Sequence, residues 1–123
     1  NYWVHDDASE LLVSHHIENK DYSKAHSLIA PASRSPKKLV LKARILRSEN
    51  KLPEAKSTLE QAFELARLDY DTKASIDAAL MLYRLTSSQP KVQAEYFAYL
   101  QSNANPDWLK QRDIVLTNRQ SQN

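Results

Sequence analysis

The chain of 123 residues contains no glycine and no cysteine. Glycine supplies the mirror-image turns of tight hairpins and the close backbone approaches of phosphate-cradling loops. Its absence argues against Rossmann and P-loop folds and leaves helices joined by polar corners as the natural architecture. Without cysteine, disulfides, thiolate metal sites and cysteine nucleophiles are excluded, while the redox compartment stays open. No apolar run approaches the roughly 18 residues of a membrane span, and no signal peptide is visible. The sequence opens "NYWVHDD" without methionine, so the chain is expected to be cut from something longer. Tyr2-Trp3-Val4 reads as an aromatic anchor packing on the first helix. The alternative is the interfacial end of a membrane helix lost upstream.

What is present suits one soluble domain with one modest core, at 41% hydrophobic and 26% charged residues. The net charge of +2 is unevenly spread. Residues 36–56 hold seven bases against two acids, whereas residues 1–35 hold three bases against five acids. The first helix pair is therefore acidic and the second strongly basic.

Helix starts are clearly marked. Ser35-Pro36, Ser88-Gln89-Pro90 and Asn105-Pro106 each place a capping side chain before a proline, and Asp7 and Asp71 suit the same role. Between these starts apolar residues recur at three- and four-residue spacing, and strand signals are absent. The spacing predicts helices over 7–18, 22–31, 36–49, 53–68, 72–86, 90–102 and 106–118. Short connections make successive helices antiparallel. The fourth helix offers a small-residue face of Ala55, Leu59, Ala62, Phe63 and Ala66. The fifth, "ASIDAALMLYRL", is apolar almost all round, as expected in the middle of a stack.

Two stretches repeat a pattern. "DYSKAHSLIAPA" (21–32) and "KLPEAKSTLEQAFELA" (51–66) each run from an aromatic or Leu through a polar pair to Ala, then Leu or Ile and Ala at helical spacing. The pattern resembles the tetratricopeptide repeat, a helix–turn–helix unit of about 34 residues that stacks into a superhelix. Leu39, Ala43, Leu46, Leu52, Ala55, Leu59 and Ala62 sit at the family's positions in the second unit. Leu12, Tyr22, Ala25, Ile29 and Ala32 do so in the first, and Leu85, Ala94 and Ala98 in a looser third. Departures are His16 and Lys42 at usually apolar positions, and steps of 30 and 39 residues between Ala25, Ala55 and Ala94. The resemblance implies an all-α fold of about seven helices, a single domain over 1–123 built as a short tetratricopeptide-like solenoid. Its units are about 6–35, 36–70 and 71–103, with 106–118 as capping helix.

On a helix continued from Pro36, Lys37, Arg44 and Lys51 lie seven apart, with Arg47 close to the same stripe. In the resembled family the first helix of each unit lines a concave groove that receives partner peptides. The resemblance implies groove positions for Lys37, Val40, Arg44 and Arg47, with Tyr83 on the fifth helix as an apolar wall. The expected function is a protein–protein interaction module whose partner is a protein or acidic peptide, since arginine forks suit carboxylates. A solvated basic face is the structural alternative. A carboxylate clamp of the family's kind is not expected, because its first-unit positions fall on Glu10 and Ser14, which lack the required donors.

Nucleic acid is disfavoured as a partner: the net charge is small, and aromatics do not interleave with the bases. His15 and His16 point about 100° apart on a helix. His15, Glu18 and His26 lack a further ligand of clear spacing, so surface histidine is the expectation and no metal or other cofactor is implied. Asp6, Asp7 and Glu10 read as acids at a helix start, and Glu60 and Glu64 as a solvated i,i+4 face. No enzyme activity is expected. Tyr96, Phe97 and Tyr99 cluster on the sixth helix, and Trp108 with Leu109 would seal the stack's open end. The alternative function is a sensory or dimerisation domain of a membrane-associated signalling or transcription-regulating protein. Self-association then matters, the membrane enters only through a missing upstream segment, and the compartment stays open between cytoplasm and periplasm.

Overall fold

The computed structural model describes residues 2–29 and 35–112, with side chains from Glu10 onward. The described residues form seven helices and no strand: α1 (Tyr2–Glu18), α2 (Tyr22–Ile29), α3 (Pro36–Ser48), α4 (Leu52–Leu68), α5 (Thr72–Leu85), α6 (Pro90–Asn103) and α7 (Pro106–Gln111). The fold is an all-α stack of antiparallel helix–turn–helix units.

Three of the expected caps form. Ser35 Oγ accepts the Lys38 N–H at 3.3 Å, Asp71 Oδ1 the Ala74 N–H at 3.1 Å, and Asn105 Oδ1 those of Asp107 and Trp108. Each satisfies a first-turn donor that has no partner within its own helix. Gln89 does not cap α6; its Oε1 instead accepts from Lys56 Nζ at 2.8 Å, tying the start of α6 back to α4. α1 begins at Tyr2, five residues before the expected start, so Asp7 lies inside the helix and is not a cap. α7 ends at Gln111, and the 113–118 part of the expected capping helix lies outside the described residues, as does Ala32.

The helix ends use backbone geometry that ordinarily calls for glycine. Lys20, Asn50 and Tyr70 have φ of 59°, 64° and 57°. At each, the left-handed residue donates its N–H to a carbonyl three residues back, and the next residue donates to one five back. Asn50→Arg47 and Lys51→Leu46 measure 2.9 and 2.8 Å, and the α1 and α4 ends repeat the pattern. These are Schellman closures. A glycine-free chain makes them at the α1–α2, α3–α4 and α4–α5 corners with Lys, Asn and Tyr.

Two apolar clusters meet at α3. Leu41 and Ile45 face Val13 of α1 and Ala25 and Ile29 of α2. Leu39, Val40 and Ala43 face the larger cluster, with Leu59, Ala62 and Phe63 of α4, Ala78 to Tyr83 of α5, Leu100 of α6 and Leu109 of α7. α5 buries residues on nearly every side, as its composition requires. Ser75 Oγ and Tyr99 Oη lie 2.7 Å apart and satisfy each other between α5 and α6.

The repeat pattern holds best in α3 and α4, where Leu39, Ala43, Leu46, Ala55, Leu59 and Ala62 are buried, although Leu52 at the corner is exposed. In α1 the register differs by one: Val13 is fully buried and Leu12 is 46% exposed. In α6 both Ala94 and Ala98 are exposed and only Leu100 is buried, because nothing among the described residues packs on the outer face of that helix. No helix among the described residues is long and apolar enough to cross a membrane. α1, α3 and α5 contact one another in sequence and form one row, with α4 contacting both α3 and α5.

Candidate functional site

The row α1–α3–α5, closed by α7, surrounds a cavity of about 320 Å³. Buried Val40 and Leu41 of α3 and Leu80 and Met81 of α5 contribute its apolar floor, and half-buried Trp108 of α7 a side wall. Charged side chains line its rim, and they divide by position along the helices.

One end carries both signs. Glu10 of α1 lies 4.0 Å from both Lys37 Nζ and Arg44 Nη1. Lys73 Nζ donates to Asp77 Oδ2 at 3.0 Å. That hydrogen bond, helped by the nearby charges of Asp77, Glu10 and Asp71 and opposed by partial burial, leaves the Lys73 ammonium above the ordinary lysine range. Arg44 Nη2 donates to Ser14 Oγ at 2.8 Å, locking α3 to α1.

The other end is cationic. Arg47 sits in the last turn of α3, Arg84 in the last turn of α5, and Arg112 caps α7. Arg84 Nη2 donates to the Arg112 carbonyl at 3.2 Å. The Arg112 guanidinium lies 4.0 Å from the Trp108 ring centroid and donates to the Trp108 carbonyl at 3.1 Å. These acceptors are neutral. Among the described residues no carboxylate pairs with Arg47, Arg84 or Arg112. Loss of hydration, then repulsion from Arg44 and Arg84, lowers the Arg47 guanidinium below the ordinary arginine range. It stays charged at any working pH.

Four of the five residues assigned to the groove from sequence line this cavity: Lys37, Val40, Arg44 and Arg47. Tyr83 does not. Lys73, Asp77, Leu80, Met81 and Arg84 recur at three- and four-residue steps along the groove face of α5, and Tyr83 falls about a quarter turn to one side of it. There it is buried, with its ring 6.0 Å from that of Phe97 on α6. Leu80, Met81 and Trp108 supply the apolar surface instead. Lys51 also leaves the stripe, because the chain reverses at Asn50; Lys51 Nζ lies 3.8 Å from Glu49 Oε2. Sequence reasoning missed Lys73, Asp77 and Arg84, although their shared spacing was available. Arg112 had no such signal, since α7 carries it to the groove through tertiary packing. Glu10, expected as a helix-start acid, faces the groove cations because α1 begins much earlier.

His15 and His26 make contacts within the fold. His26 Nε2 lies 2.9 Å from Glu49 Oε1, bridging α2 to the end of α3, and His15 Nε2 lies 3.1 Å from Asn19 Nδ2. Among the described residues no group of three or more potential ligands could hold a metal ion.

A second, acidic depression lies between α4 and α6, lined by Glu60, Glu64 and Glu95 with Phe63, Tyr96 and Tyr99. Phe63 makes edge-to-face contacts with Tyr96 and Tyr99 at centroid separations of 5.6 and 4.9 Å. Arg67, 3.3 Å from Glu64, lies over the Phe63 ring. Compared with known proteins, the chain matches no family model, no curated protein and no solved structure.

Proposed function

We propose that this chain is a protein–protein interaction module of tetratricopeptide-like architecture, which binds a partner segment in the groove between α1, α3, α5 and α7. The observation that carries the proposal is the cavity itself, with its apolar floor and an excess of cations on its rim. Such a surface suits an anionic segment that brings an apolar side chain with it. The role is recognition, not catalysis: the guanidiniums steer and orient the segment, and Val40, Leu80, Met81 and Trp108 receive its apolar part.

The test is a pull-down with the purified chain, eluted by a salt gradient, against an Arg44→Glu/Arg47→Glu control. A partner retained by wild type at low salt and lost by the control supports the groove. Because Arg44 also holds α1 through Ser14, Arg47→Glu alone is run beside the double variant, with circular dichroism on both. Equal retention by all three would refute the groove as the binding surface.

Self-association is a second function with an observation behind it. Leu68 and Tyr70, at the α4–α5 corner, are 74% and 91% exposed. Light scattering that returned a concentration-dependent mass, abolished by Leu68→Ser, would favour it.

A further inference from the structure

We infer that the cationic end of the groove is a phosphate-recognition subsite, which selects a partner segment bearing a phosphorylated serine or threonine. The inference rests on the groove being the binding surface proposed above, and it names the group that the groove reads.

The charge arrangement carries it. At the mixed end of the groove each described cation has a carboxylate: Glu10 for Lys37 and Arg44, and Asp77 for Lys73. At the other end Arg47, Arg84 and Arg112 line the same cavity with no carboxylate among the described residues. A single carboxylate carries one charge and matches one guanidinium fork. A phosphoryl group carries about −1.5 to −2 charges at neutral pH and three acceptor oxygens, so it can bridge several forks at once. Three guanidiniums from three helices converging on one cavity fit the second kind of ligand better.

The rest of the groove selects a peptide as the bearer of that phosphate. A nucleic-acid strand following the groove would carry further phosphates toward Glu10, Asp71 and Asp77, which would repel them. A peptide presents one dianion at the arginines and then an uncharged or basic stretch, which those acids accept. Beside the arginines, Met81 and Trp108 offer apolar contact for the neighbouring side chain. A free small phosphate would leave that surface unused.

The arrangement also fixes a clean variant. Among the described residues the Arg47 guanidinium makes no hydrogen bond or ion pair, so Arg47→Gln removes a cation without breaking either. Arg84 holds the Arg112 carbonyl, so Arg84→Gln is interpreted only alongside a thermal melt.

The experiment uses the 123-residue chain and three immobilised degenerate peptide libraries, identical except for a fixed central phosphoserine, glutamate or serine. A single-stranded oligonucleotide competes in a fourth arm. We expect the phosphoserine library to retain the chain at least about tenfold better than the glutamate library, and Arg47→Gln to lose most of that preference. Equal retention on phosphoserine and glutamate would overturn the phosphate subsite while leaving the groove as a binder of acidic peptides. Retention on none of the libraries would overturn both. Displacement by the oligonucleotide at lower concentration than by phosphopeptide would assign the cations to nucleic acid and overturn the inference.

Discussion

Replacing Tyr70 by glycine should stabilise the fold, although Tyr70 makes no core contact to lose. Its φ of 57° places it in the left-handed region, and its side chain is 91% exposed. That conformation costs an L-residue with a Cβ roughly 1–2 kcal/mol. Glycine avoids the clash but gives back about 0.5–1 kcal/mol through the greater freedom of its unfolded chain. The net gain is about 0.5–1 kcal/mol, which for a chain of this length raises Tm by about 2–4 °C. Urea unfolding followed by circular dichroism at 222 nm should show the midpoint rising at constant m. Tyr70→Ala is the decisive control, since it removes the ring but keeps the Cβ and should gain nothing. Lys20→Gly should match Tyr70→Gly. Asn50→Gly should gain less, because asparagine tolerates the left-handed region through local hydrogen bonds of its side chain. Stabilisation by Tyr70→Ala equal to that by Tyr70→Gly, or a loss on Tyr70→Gly, would refute backbone strain at the corner.

Truncating two fully buried leucines should separate global from local stability. Leu82→Ala, in the centre of α5, should cost about 2–5 kcal/mol in urea unfolding. Leu109→Ala, on the six-residue α7, should cost less and show chiefly as faster amide exchange across 106–112, since so short a helix can open alone. A second expectation concerns alkaline pH. Burial, followed by the charges of Glu60, Glu95 and Glu64, holds the Tyr96 hydroxyl above the ordinary tyrosine range. The folded chain therefore keeps that proton more tightly than the unfolded chain does. The resulting stability is whole below about pH 10 and is lost as pH rises through the folded value. Lys73, raised chiefly by its hydrogen bond to Asp77, acts in the same direction. The urea midpoint should fall above pH 10, and Tyr96→Phe should fall less. An identical alkaline loss in Tyr96→Phe would remove Tyr96 from the explanation.

How far the sequence was legible depended on how local each cause is. Ser35, Asp71 and Asn105 announced their helices because a cap acts within three residues. The buried face of α3 was legible because Leu39, Ala43 and Leu46 share one stripe. The corners were partly hidden: no glycine marks the Schellman closures, and Lys20, Asn50 and Tyr70 make them under strain that the packed helices impose. Leu11, Leu12 and Val13 form an apolar run from which periodicity alone could not choose, and the packing of α1 on α2 and α3 selects Val13. Tyr83 was misplaced because α5 is apolar on most sides, so composition did not say which face met the groove. Four of the five residues assigned to the groove nevertheless line it, since Lys37, Val40, Arg44 and Arg47 share one side of α3.

The packing of α3 also explains why the guanidiniums cannot relax away from one another by moving the backbone. α3 gives Leu39, Val40 and Ala43 to one cluster and Leu41 and Ile45 to the other, so its rotation is fixed from both sides. Turning the helix to move Arg47 away from Arg84 would expose core residues that are each worth about 1.5–3 kcal/mol when buried. Like-charge neighbours on a helix surface cost only about 0.2–0.5 kcal/mol per pair. Packing therefore wins, and the cations stay where the helices put them, relieved by water, by salt or by a bound anion. Under the proposed function, a partner that supplied the anion would meet side chains whose backbone is already in place, so less ordering entropy would be lost on binding. The same two-sided burial that stabilises α3 is what preorganises the cationic end of the groove.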